Sequence, residues 1–431
     1  MDSTFSALRS IIKDHLPDLK RYEDIYKDLH AHPELGTLEK RTSSIATKHL
    51  REIGYEVTKD IGGHGVTGVF ENGAGPTVML RADMDALPIR EQTGLVYAST
   101  LETVDTDGEK KPVMHACGHD SHVSTMMATA ELLCKSKEHW TGTLIILFQP
   151  DEEHCKGAQA MIDDGLYNKI PKPNIVLGQH LTNAKAGTVL LRKGVFLASA
   201  DTFKVTVFGR GAHGAQPQES IDPIVIASSI VMRLQTVVAR EIGPEDVATV
   251  TCASFEGGSW KAPNIIPDQV VLTLNIRTFD STVRGKVLHA VKRIIKHEAL
   301  ASGAPREPTI QELNSYPLTY NDPDSVQKLH NTFEEYFRED CWVAERETAS
   351  EDFTNFATHI NVPSIFWNFG GVNEEIWEKY EQDRKEGKKV RLPGAHQADY
   401  APVLQPTLKT GIEAMSLAAL TFMGKSEKKS L

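Results

Sequence analysis

Three histidines, one cysteine and one aspartate lie within nine residues of this chain, in the segment MHACGHDSH from Met114 to His122. Cys117 and His119 are separated by one glycine, a spacing that lets a thiolate and an imidazole approach one metal ion from a tight turn. A cysteine near a helix start is also commonly a small buried apolar group. The segment alone therefore leaves a metal site and a polar turn as alternatives. Not every histidine in it can bind metal, so we predict supporting or structural roles for His115 and His122.

Further candidate ligands follow apolar strands or lie in a late loop. The segment FQPDEEH places Asp151, Glu152 and Glu153 directly after an apolar run. VLGQH ends another predicted strand at His180, and LPGAHQADYAPV places His396 in a loop bounded by glycine and proline. Carboxylate, imidazole and thiolate groups together suit zinc or a similar divalent ion. Taken singly, a histidine after a strand is commonly a satisfied polar residue, and two adjacent glutamates usually form a solvated face.

The elements that must position these residues alternate between strand and helix in the first half of the chain. Hydrophobic periodicity predicts helices up to about Leu35 and at 41–54, 121–137 and 156–167, and strands at 55–61, 66–73, 77–87, 142–150 and 174–180. This alternation predicts an α/β layer architecture around a mixed sheet.

The order of elements changes at about Ser199. Strands are predicted at 201–210, 248–258, 269–280 and 307–317, with helices at 222–241 and 283–303. This β-α-β-β-α-β order is a complete small sandwich by itself. After Thr319 helices and short strands resume, with a buried strand at 364–371. We therefore predict a catalytic α/β domain formed by residues 1–197 and 317–431 and interrupted by an inserted α+β domain at 198–316.

Length, charge and cysteine content narrow the class of protein. A chain of 431 residues favours two domains. Its formal charge of -11 opposes non-specific attraction to nucleic acid or to anionic membranes, so small molecules are the expected ligands. The amino-terminal segment lacks the apolar core of a signal peptide. Five cysteines without a Cys-x-x-Cys pair predict neither a disulfide framework nor a zinc finger. We expect a cytoplasmic protein with no membrane segment.

Nine segments together resemble the metal-dependent amidohydrolases that include aminoacylases, hippurate hydrolase and plant auxin-conjugate hydrolases. They occur in that family's order and spacing, from about His30 to about Pro402, and their combination is specific although each motif alone is not. The segments are LHAHPELGTLEKRT, RADMDALPI, MHACGHDSH, FQPDEEHCKGAQAMIDDGL, GRGAHGAQPQESIDPI, NIIPD, NIRTFD, ASEDF and GAHQADYAPV.

The resemblance implies a binuclear metal site with two divalent ions per chain. Cys117 would bridge the two ions, and four further residues would complete the cage: His119, Glu153, His180 and His396. Zinc or manganese is the expected metal, with cobalt as a further candidate, because thiolate ligation favours zinc while relatives also work with the other two.

The resemblance also implies a reaction. Glu152 would be the general base that takes a proton from the attacking water and passes it to the leaving nitrogen. Asp85 matches an aspartate that orients a ligand in the wider family. The expected activity is hydrolysis of the amide bond of an N-acyl or N-conjugated amino acid to a carboxylic acid and a free amino acid. A dipeptidase or carboxypeptidase with the same mechanism is the alternative.

The inserted domain matches the family's lid and dimerisation domain, which implies a homodimer. His213 falls on the histidine that crosses the dimer interface and polarises the scissile carbonyl in the neighbouring subunit. Asn264 and Arg277 fall on residues that hold the free carboxylate of the substrate, a role suited to the planar fork of arginine. Without the resemblance, Arg277 would be interpreted as a solvated strand residue.

The sequence disfavours two other functions, and three of its residues depart from the family pattern. GRGAHG is a literal Gly-x-Gly-x-x-Gly after a strand, but Pro217 intervenes before the next helix, which argues against a dinucleotide-binding oxidoreductase. A non-catalytic binding module is disfavoured by the intact ligand set. Relatives commonly have alanine at the position of Asp151 and glycines at those of His154 and Cys155. These departures leave the acyl group and the amino-acid preference open.

Overall fold

Each of two units in this chain has its own sheet. The computed structural model describes residues 2–106 and 108–425, with side chains from residue 7 onward. The first unit comprises the described residues of Met1–Phe196, Tyr320–Glu345 and Asp352–Leu431, and the second comprises Leu197–Thr319 and Arg346–Glu351. Residues 346–351 thus belong to the second unit although the segments on both sides of them belong to the first.

The described residues form helices and strands that we number in chain order. The helices are α1 (Asp2–His15), α2 (Leu19–Ala31), α3 (Lys40–Glu52), α4 (His119–Lys135), α5 (Gly157–Asp163), α6 (Leu166–Lys169), α7 (Pro223–Arg240), α8 (Ser281–Ala301), α9 (Pro323–Phe337), α10 (Thr354–Ile360), α11 (Glu374–Lys385) and α12 (Thr407–Met423). The strands are β1 (Glu56–Ile61), β2 (Gly65–Asn72), β3 (Thr77–Asp83), β4 (Glu102–Val104), β5 (Lys110–Pro112), β6 (Gly142–Gln149), β7 (Ile175–Lys185), β8 (Val189–Leu191), β9 (Gly194–Leu197), β10 (Ser199–Phe208), β11 (Ala212–His213), β12 (Ala248–Gly257), β13 (Ile265–Ile266), β14 (Gln269–Thr278), β15 (Thr309–Tyr316), β16 (Thr319–Asn321), β17 (Cys341–Val343) and β18 (Ser364–Val372). Short 3₁₀ helices lie at Lys137–His139, Pro217–Glu219 and Arg338–Asp340.

An eight-stranded mixed sheet forms the centre of the first unit, in the order β1-β2-β6-β3-β7-β18-β8-β17. Strands β6, β3, β7 and β18 run parallel to one another, while β1 and β2 are antiparallel to their neighbours. The parallel strands are buried along nearly their whole length, as expected where both faces are covered. Helices α4 and α12 pack against each other and against β3. The predicted α/β fold with a mixed sheet is confirmed.

The carboxyl ends of β3 and β6 meet at one edge of this sheet, the edge where ligand sites of open α/β sheets lie. Asp85 follows β3, and the Asp-Glu-Glu segment follows β6. The prediction that a strand ends at His180 is wrong. Strand β7 continues five residues further because β18 pairs with it beyond His180, at Leu181 and Thr182.

The second unit is built on a four-stranded antiparallel sheet in the order β12-β14-β10-β15. Helices α7 and α8 pack on each other, and their apolar faces share a core with the alternate buried residues of the strands. Asp222 and Asp280 cap the two helices by accepting hydrogen bonds from backbone amides of the first turn. The predicted β-α-β-β-α-β order is confirmed, with a small additional ladder between β11 and β13.

Among the described helices, α7 has the length and apolar composition of a membrane span, and a third of it is buried in the structure. This is weak evidence for a membrane segment, since the core helix of a soluble protein passes the same test.

Gly157 opens α5 immediately after the Asp-Glu-Glu segment, where a side chain has no room. A Cβ at this position would lie 1.5 Å from the carbonyl oxygen of Pro150, whereas a Cβ at Gly285 in α8 would meet nothing within 4 Å. We predict that Gly285→Ala raises the free energy of unfolding by ~0.5–1 kcal/mol, and that Gly157→Ala lowers it by more than ~1 kcal/mol. Urea unfolding of the two variants and the parent measures both changes, and equal stability of Gly157→Ala and the parent would contradict the described packing.

Candidate metal centre

The Cys-Gly-His turn depends on a backbone conformation at Gly118 that favours glycine. Gly118 has φ 84°, in the left-handed region, and a Cβ there would lie 2.7 Å from Cδ2 of Leu181. The next residue, His119, begins α4. With Gly118 in this conformation, the ligand atoms of Cys117 and His119 lie within 4.8 Å of each other. Cys117 Sγ lies 3.4 Å from His180 Nε2.

His119 is held in one orientation by the residue that follows β3. Its Nδ1 donates to the carbonyl oxygen of Asp85 at 2.8 Å and lies 3.2 Å from Oδ1 of the same residue. Its Nε2 is buried 3.9 Å from Glu153 Oε1 and finds no hydrogen-bond partner among the described residues. Burying the Nε2 nitrogen without a hydrogen-bond partner costs free energy, which a bound metal ion would offset. Metal-binding histidines commonly donate their other ring N–H to a carbonyl or carboxylate, as Nδ1 does here to Asp85. The arrangement therefore fits a metal ligand.

The loop after β6 is fixed by two buried carboxyl groups. Asp85 Oδ2 accepts a hydrogen bond from the backbone amide of Glu153 at 2.9 Å, and Glu39 Oε1 accepts one from that of Asp151 at 2.8 Å. Glu152 is buried. Asp151 and Cys155 have φ of 50° and 57°, which non-glycine residues rarely adopt. The loop that carries Glu152 and Glu153 is thus held in a strained backbone conformation. Such strained residues cluster at functional sites.

His396 reaches the same place from the far end of the chain. Its backbone amide donates to the carbonyl oxygen of Ala116 at 2.7 Å, which anchors the late loop to the Cys-Gly-His turn. Its Nε2 lies 3.3 Å from Glu153 Oε2, and its side chain is 54% exposed. His396 also has a positive φ, of 65°. Of the five predicted ligands it is the one most open to solvent.

The predicted ligands form two groups that share one atom. Ligand atoms lie within 4.8 Å of one another in the set Cys117, His119, His180 and again in the set Cys117, Glu153, His396. The same separation holds for His119, Glu152 and Glu153. A thiolate common to two ligand sets is what a bridge between two cations requires. The structure thus brings together all five predicted ligands and the predicted base.

The charges of the cluster favour cations. Burial and the carboxylate of Glu153 raise the pKa of Cys117, but His180 and His119 outweigh them and lower it to about 7. Burial lowers the pKa of His180, but the Cys117 thiolate outweighs this effect and raises it to about 9. Hydrogen bonds to Cys117 and Glu153 raise the pKa of His396 to about 10. The negative charges of Cys117 and Glu153 that raise these pKa values are also the charges that would hold a divalent cation.

His122 and His115 differ from the ligand histidines. His122 is partnered on both ring nitrogens, by Asp83 Oδ1 at 2.6 Å and by the backbone amide of Leu181 at 2.8 Å. It therefore connects β3 to β7 beneath the site, which fits the predicted structural role. His115 is buried, and neither of its ring nitrogens has a hydrogen-bond partner among the described residues.

Sequence reasoning missed a buried ionic network behind the site. Arg81 lies fully buried, with its guanidinium 2.6 Å from Asp83 Oδ2 and 3.4 Å from Asp352 Oδ1. Gln149 joins both sides through hydrogen bonds to Arg81 at 2.7 Å and to Asp352 at 2.7 Å. Asp83 in turn lies 3.7 Å from His119 Nε2. The signal was present in the sequence, since β3 ends in charged residues although it is an otherwise apolar buried strand.

One departure from the family pattern, His154, lines a cavity beside Glu153. Asp151 Oδ1 lies 2.5 Å from His154 Nδ1, and the pair packs against Gly36. The cavity has a volume of about 270 Å³. Most of its wall is apolar. The apolar lining residues are Leu35, Gly36, Leu38, Ala86, Leu87 and Pro88, and the polar ones are Asp105, Thr106, Glu153 and His154.

The remaining predicted residues lie in the second unit. His213 and Asn264 line an open cavity of about 470 Å³, where pairing of β11 with β13 brings them together. The Arg277 guanidinium donates to the carbonyl oxygen of Thr348 and to Ser350 Oγ, the latter at 3.2 Å. After the last glycine of GRGAHG the chain forms a 3₁₀ turn, and the next α-helix, α7, begins only at Pro223. This geometry differs from a dinucleotide-binding turn.

Comparison with known proteins gives consistent matches. The family described as peptidase family M20/M25/M40 matches residues 79–385. Hippurate hydrolase of Campylobacter jejuni is 36% identical over 338 residues, which are 78% of this chain and 84% of that protein. Thermostable carboxypeptidase 2 of Saccharolobus solfataricus is 33% identical over 422 residues, 95% of this chain and 98% of that protein. A solved dinuclear metal binding peptidase of the M20 family from Bacillus subtilis has a TM-score of 0.71 at 26% identity and covers 94% of this chain and 98% of its own.

Proposed function

Because this chain belongs to peptidase family M20/M25/M40, we propose that it is a metal-dependent hydrolase that cleaves the amide bond of N-acyl or N-conjugated amino acids. The observation that carries the proposal is the convergence of two ligand sets on Cys117 beside Glu152. The similarity to a hippurate hydrolase supports an acylated amino acid as the substrate. The products would be a carboxylic acid and a free amino acid.

Two divalent ions would be held by five residues of the first unit: Cys117, His119, Glu153, His180 and His396. When bound, such ions lower the pKa of water and stabilise negative charge on a carbonyl oxygen. The likeness to a dinuclear metal binding peptidase supports the number of ions. The thiolate favours zinc, while the carboxylate and imidazoles are also compatible with manganese or cobalt.

Glu152 would act as the general base. It is buried on the loop after β6, next to Glu153 and within reach of the His119 ring. Its carboxylate would accept a proton from the attacking water and deliver it to the leaving nitrogen. Asp85 would not touch substrate. It would position His119 and Glu153 through the hydrogen bonds that it accepts from both.

We propose that residues 198–316 act as a lid and dimerisation domain, that the enzyme is a homodimer, and that it works in the cytoplasm. His213 would polarise the scissile carbonyl in the neighbouring subunit, and its exposed position in an open cavity leaves it accessible. Asn264 and Arg277 would hold the free carboxylate of the substrate.

The cytoplasmic location is supported by the five free cysteines.

A carboxypeptidase is the second candidate. The similarity to thermostable carboxypeptidase 2, which extends over 95% of this chain, favours it. Both candidates use the same ligand set and require a free carboxylate on the substrate. They differ only in the group whose carbonyl is attached to the nitrogen of the released amino acid, which is a simple acyl group in one case and an aminoacyl or peptidyl group in the other. A comparison of N-acetyl, N-benzoyl and N-indoleacetyl amino acids with unblocked dipeptides separates them, and we expect the N-acyl substrates to be hydrolysed faster.

Adjacent glutamates should have different roles. We predict that Glu152→Gln retains its metal and lowers the turnover of an N-acyl amino acid by at least ~10²-fold, the usual effect of losing a general base. Glu153→Gln should lose metal, because an amide oxygen is a poor replacement for a charged ligand beside His396. Metal analysis after dialysis, combined with turnover measurements, tests both substitutions. Equal metal content and equal loss of rate in the two variants would show that the assignment is wrong.

The free carboxylate of the substrate should be essential for tight recognition. We predict that esterifying it lowers kcat/KM by ~10²-fold or more, since the guanidinium of Arg277 would then lack the charged partner that the substrate supplies. Arg277→Lys should recover little of what Arg277→Ala loses, because an ammonium cannot form the bidentate pair. Arg293→Lys, at an exposed arginine paired with Glu241, is the matched control. Unchanged kcat/KM of Arg277→Ala on the free acid would refute this role.

Subunit exchange tests whether a site is shared. Glu152→Gln and His213→Ala chains should each be inactive alone. If His213 acts on the neighbouring subunit, mixed dimers contain some sites with both normal residues, and we predict that mixing restores part of the activity. Activity is followed after exchange has been demonstrated with labelled chains. Absence of recovery in proven heterodimers would place His213 in its own subunit's site or outside catalysis.

A further inference from the structure

A second group of metal-binding side chains lies outside the candidate centre. His15 is the last residue of α1, and Glu138 and His139 belong to the 3₁₀ helix Lys137–His139. His15 Nε2 lies 3.2 Å from Glu138 Oε1, and His139 Nε2 lies 3.3 Å from the same oxygen. All three ligand atoms are within 4.8 Å of one another. None of these residues is used in the proposed reaction.

The hydrogen bonding of His15 directs a lone pair at this cluster. Its Nδ1 lies 2.9 Å from the carbonyl oxygen of Ile11, which can only accept, so Nδ1 carries the proton. In the neutral ring, Nε2 is then an acceptor, and it faces the carboxylate oxygen of Glu138. Two acceptors at 3.2 Å repel unless a proton or a cation lies between them. A metal-binding histidine commonly donates its other ring N–H to a backbone carbonyl, as His15 Nδ1 does here.

The distances match the geometry of a tetrahedral ion. Zinc binds histidine nitrogen and carboxylate oxygen at ~2.0–2.2 Å. In a tetrahedron of that size, neighbouring ligand atoms are about 3.3–3.6 Å apart. The two nitrogen-to-oxygen distances in the cluster, 3.2 and 3.3 Å, are near the lower limit of this range. An ion could therefore enter with only small adjustments of the side chains.

The backbone that carries two of the ligands is fixed by contacts near the end of the described chain. Lys425 Nζ donates to the carbonyl oxygen of Glu138 at 2.6 Å, and the Lys425 amide donates to that of His139 at 3.2 Å. The next residue, Trp140, is buried and forms a β-bridge with Gly424. The turn is thus held in place while the side chains of Glu138 and His139 remain accessible, at 56% and 39% exposure.

We propose that His15, Glu138 and His139 form a further binding site for a divalent transition metal ion, with zinc the best match. Two imidazoles and one carboxylate are a ligand set that zinc accepts, and a water would complete the tetrahedron. The ion would link the carboxyl end of α1 to the turn that precedes β6. This is a structural role, independent of the proposed hydrolysis.

Zinc binding to the intact protein tests the site. Protein whose candidate centre is already saturated is titrated with Zn²⁺ against a competing chelator, and one additional equivalent is expected to bind. His15→Ala and His139→Ala should each weaken this last equivalent at least ~10-fold, because even loss of an outer partner costs a metal site that much. His297→Ala, at an exposed histidine of α8, is the matched control and should bind as the parent does. Turnover should be unchanged in all three variants.

Two results would overturn the proposal. One is the absence of an additional equivalent in the parent. The other is an additional equivalent that both histidine variants retain with unchanged affinity, which would place it elsewhere. Glu138→Gln separates a metal site from a simple ion pair. In a metal site it weakens the last equivalent of zinc, whereas in an ion pair with protonated histidines it changes only the stability of the zinc-free protein. Circular dichroism confirms that each variant is folded.

Discussion

One buried carboxylate, that of Asp85, holds both halves of the candidate metal centre together. Its side chain and its backbone oxygen orient the His119 ring, and its second carboxylate oxygen accepts the backbone amide of Glu153. A charged group without exposure is costly unless it is paired and hydrogen-bonded. Here the pairing itself sets the distance between the helix α4 and the loop after β6. The relative position of His119 and Glu153 follows from that connection.

The sheet places these groups where such a connection can form. Strands β3 and β6 are parallel neighbours, so the residues that follow them lie side by side at one edge. Strand β7 is the next neighbour on the other side of β3 and carries His180 to the same region. Behind them the Arg81 network neutralises the carboxylates of β3 and of Asp352. The candidate metal centre thus lies beside a buried ionic layer, which Asp83 joins to it through its 3.7 Å approach to His119.

Much of this organisation could be predicted from sequence because it depends on local pattern. Apolar periodicity located the four strands of the second sheet and six strands of the first, but it missed the three-residue strands β8 and β17. The one-residue spacing of Cys117 and His119 indicated the turn. Four features could not be predicted that way. The Arg81 to Asp352 contact joins residues 271 positions apart. The end of β7 is set by its partner β18 and not by its own residues. The separation of residues 346–351 from their flanking segments depends on tertiary packing. The cluster of His15 with Glu138 likewise connects segments that no local pattern relates.

Anomalous diffraction from zinc-loaded crystals tests most directly whether Cys117 is shared by two ions. The data would be recorded on both sides of the zinc absorption edge. We predict two anomalous peaks about 3.5–4 Å apart. Both peaks should lie ~2.3 Å from Cys117 Sγ. One should lie beside His119 and His180, and the other beside Glu153 and His396. A single peak, or two peaks of which only one contacts the sulfur, would contradict a bridging thiolate and with it the proposed arrangement of the centre.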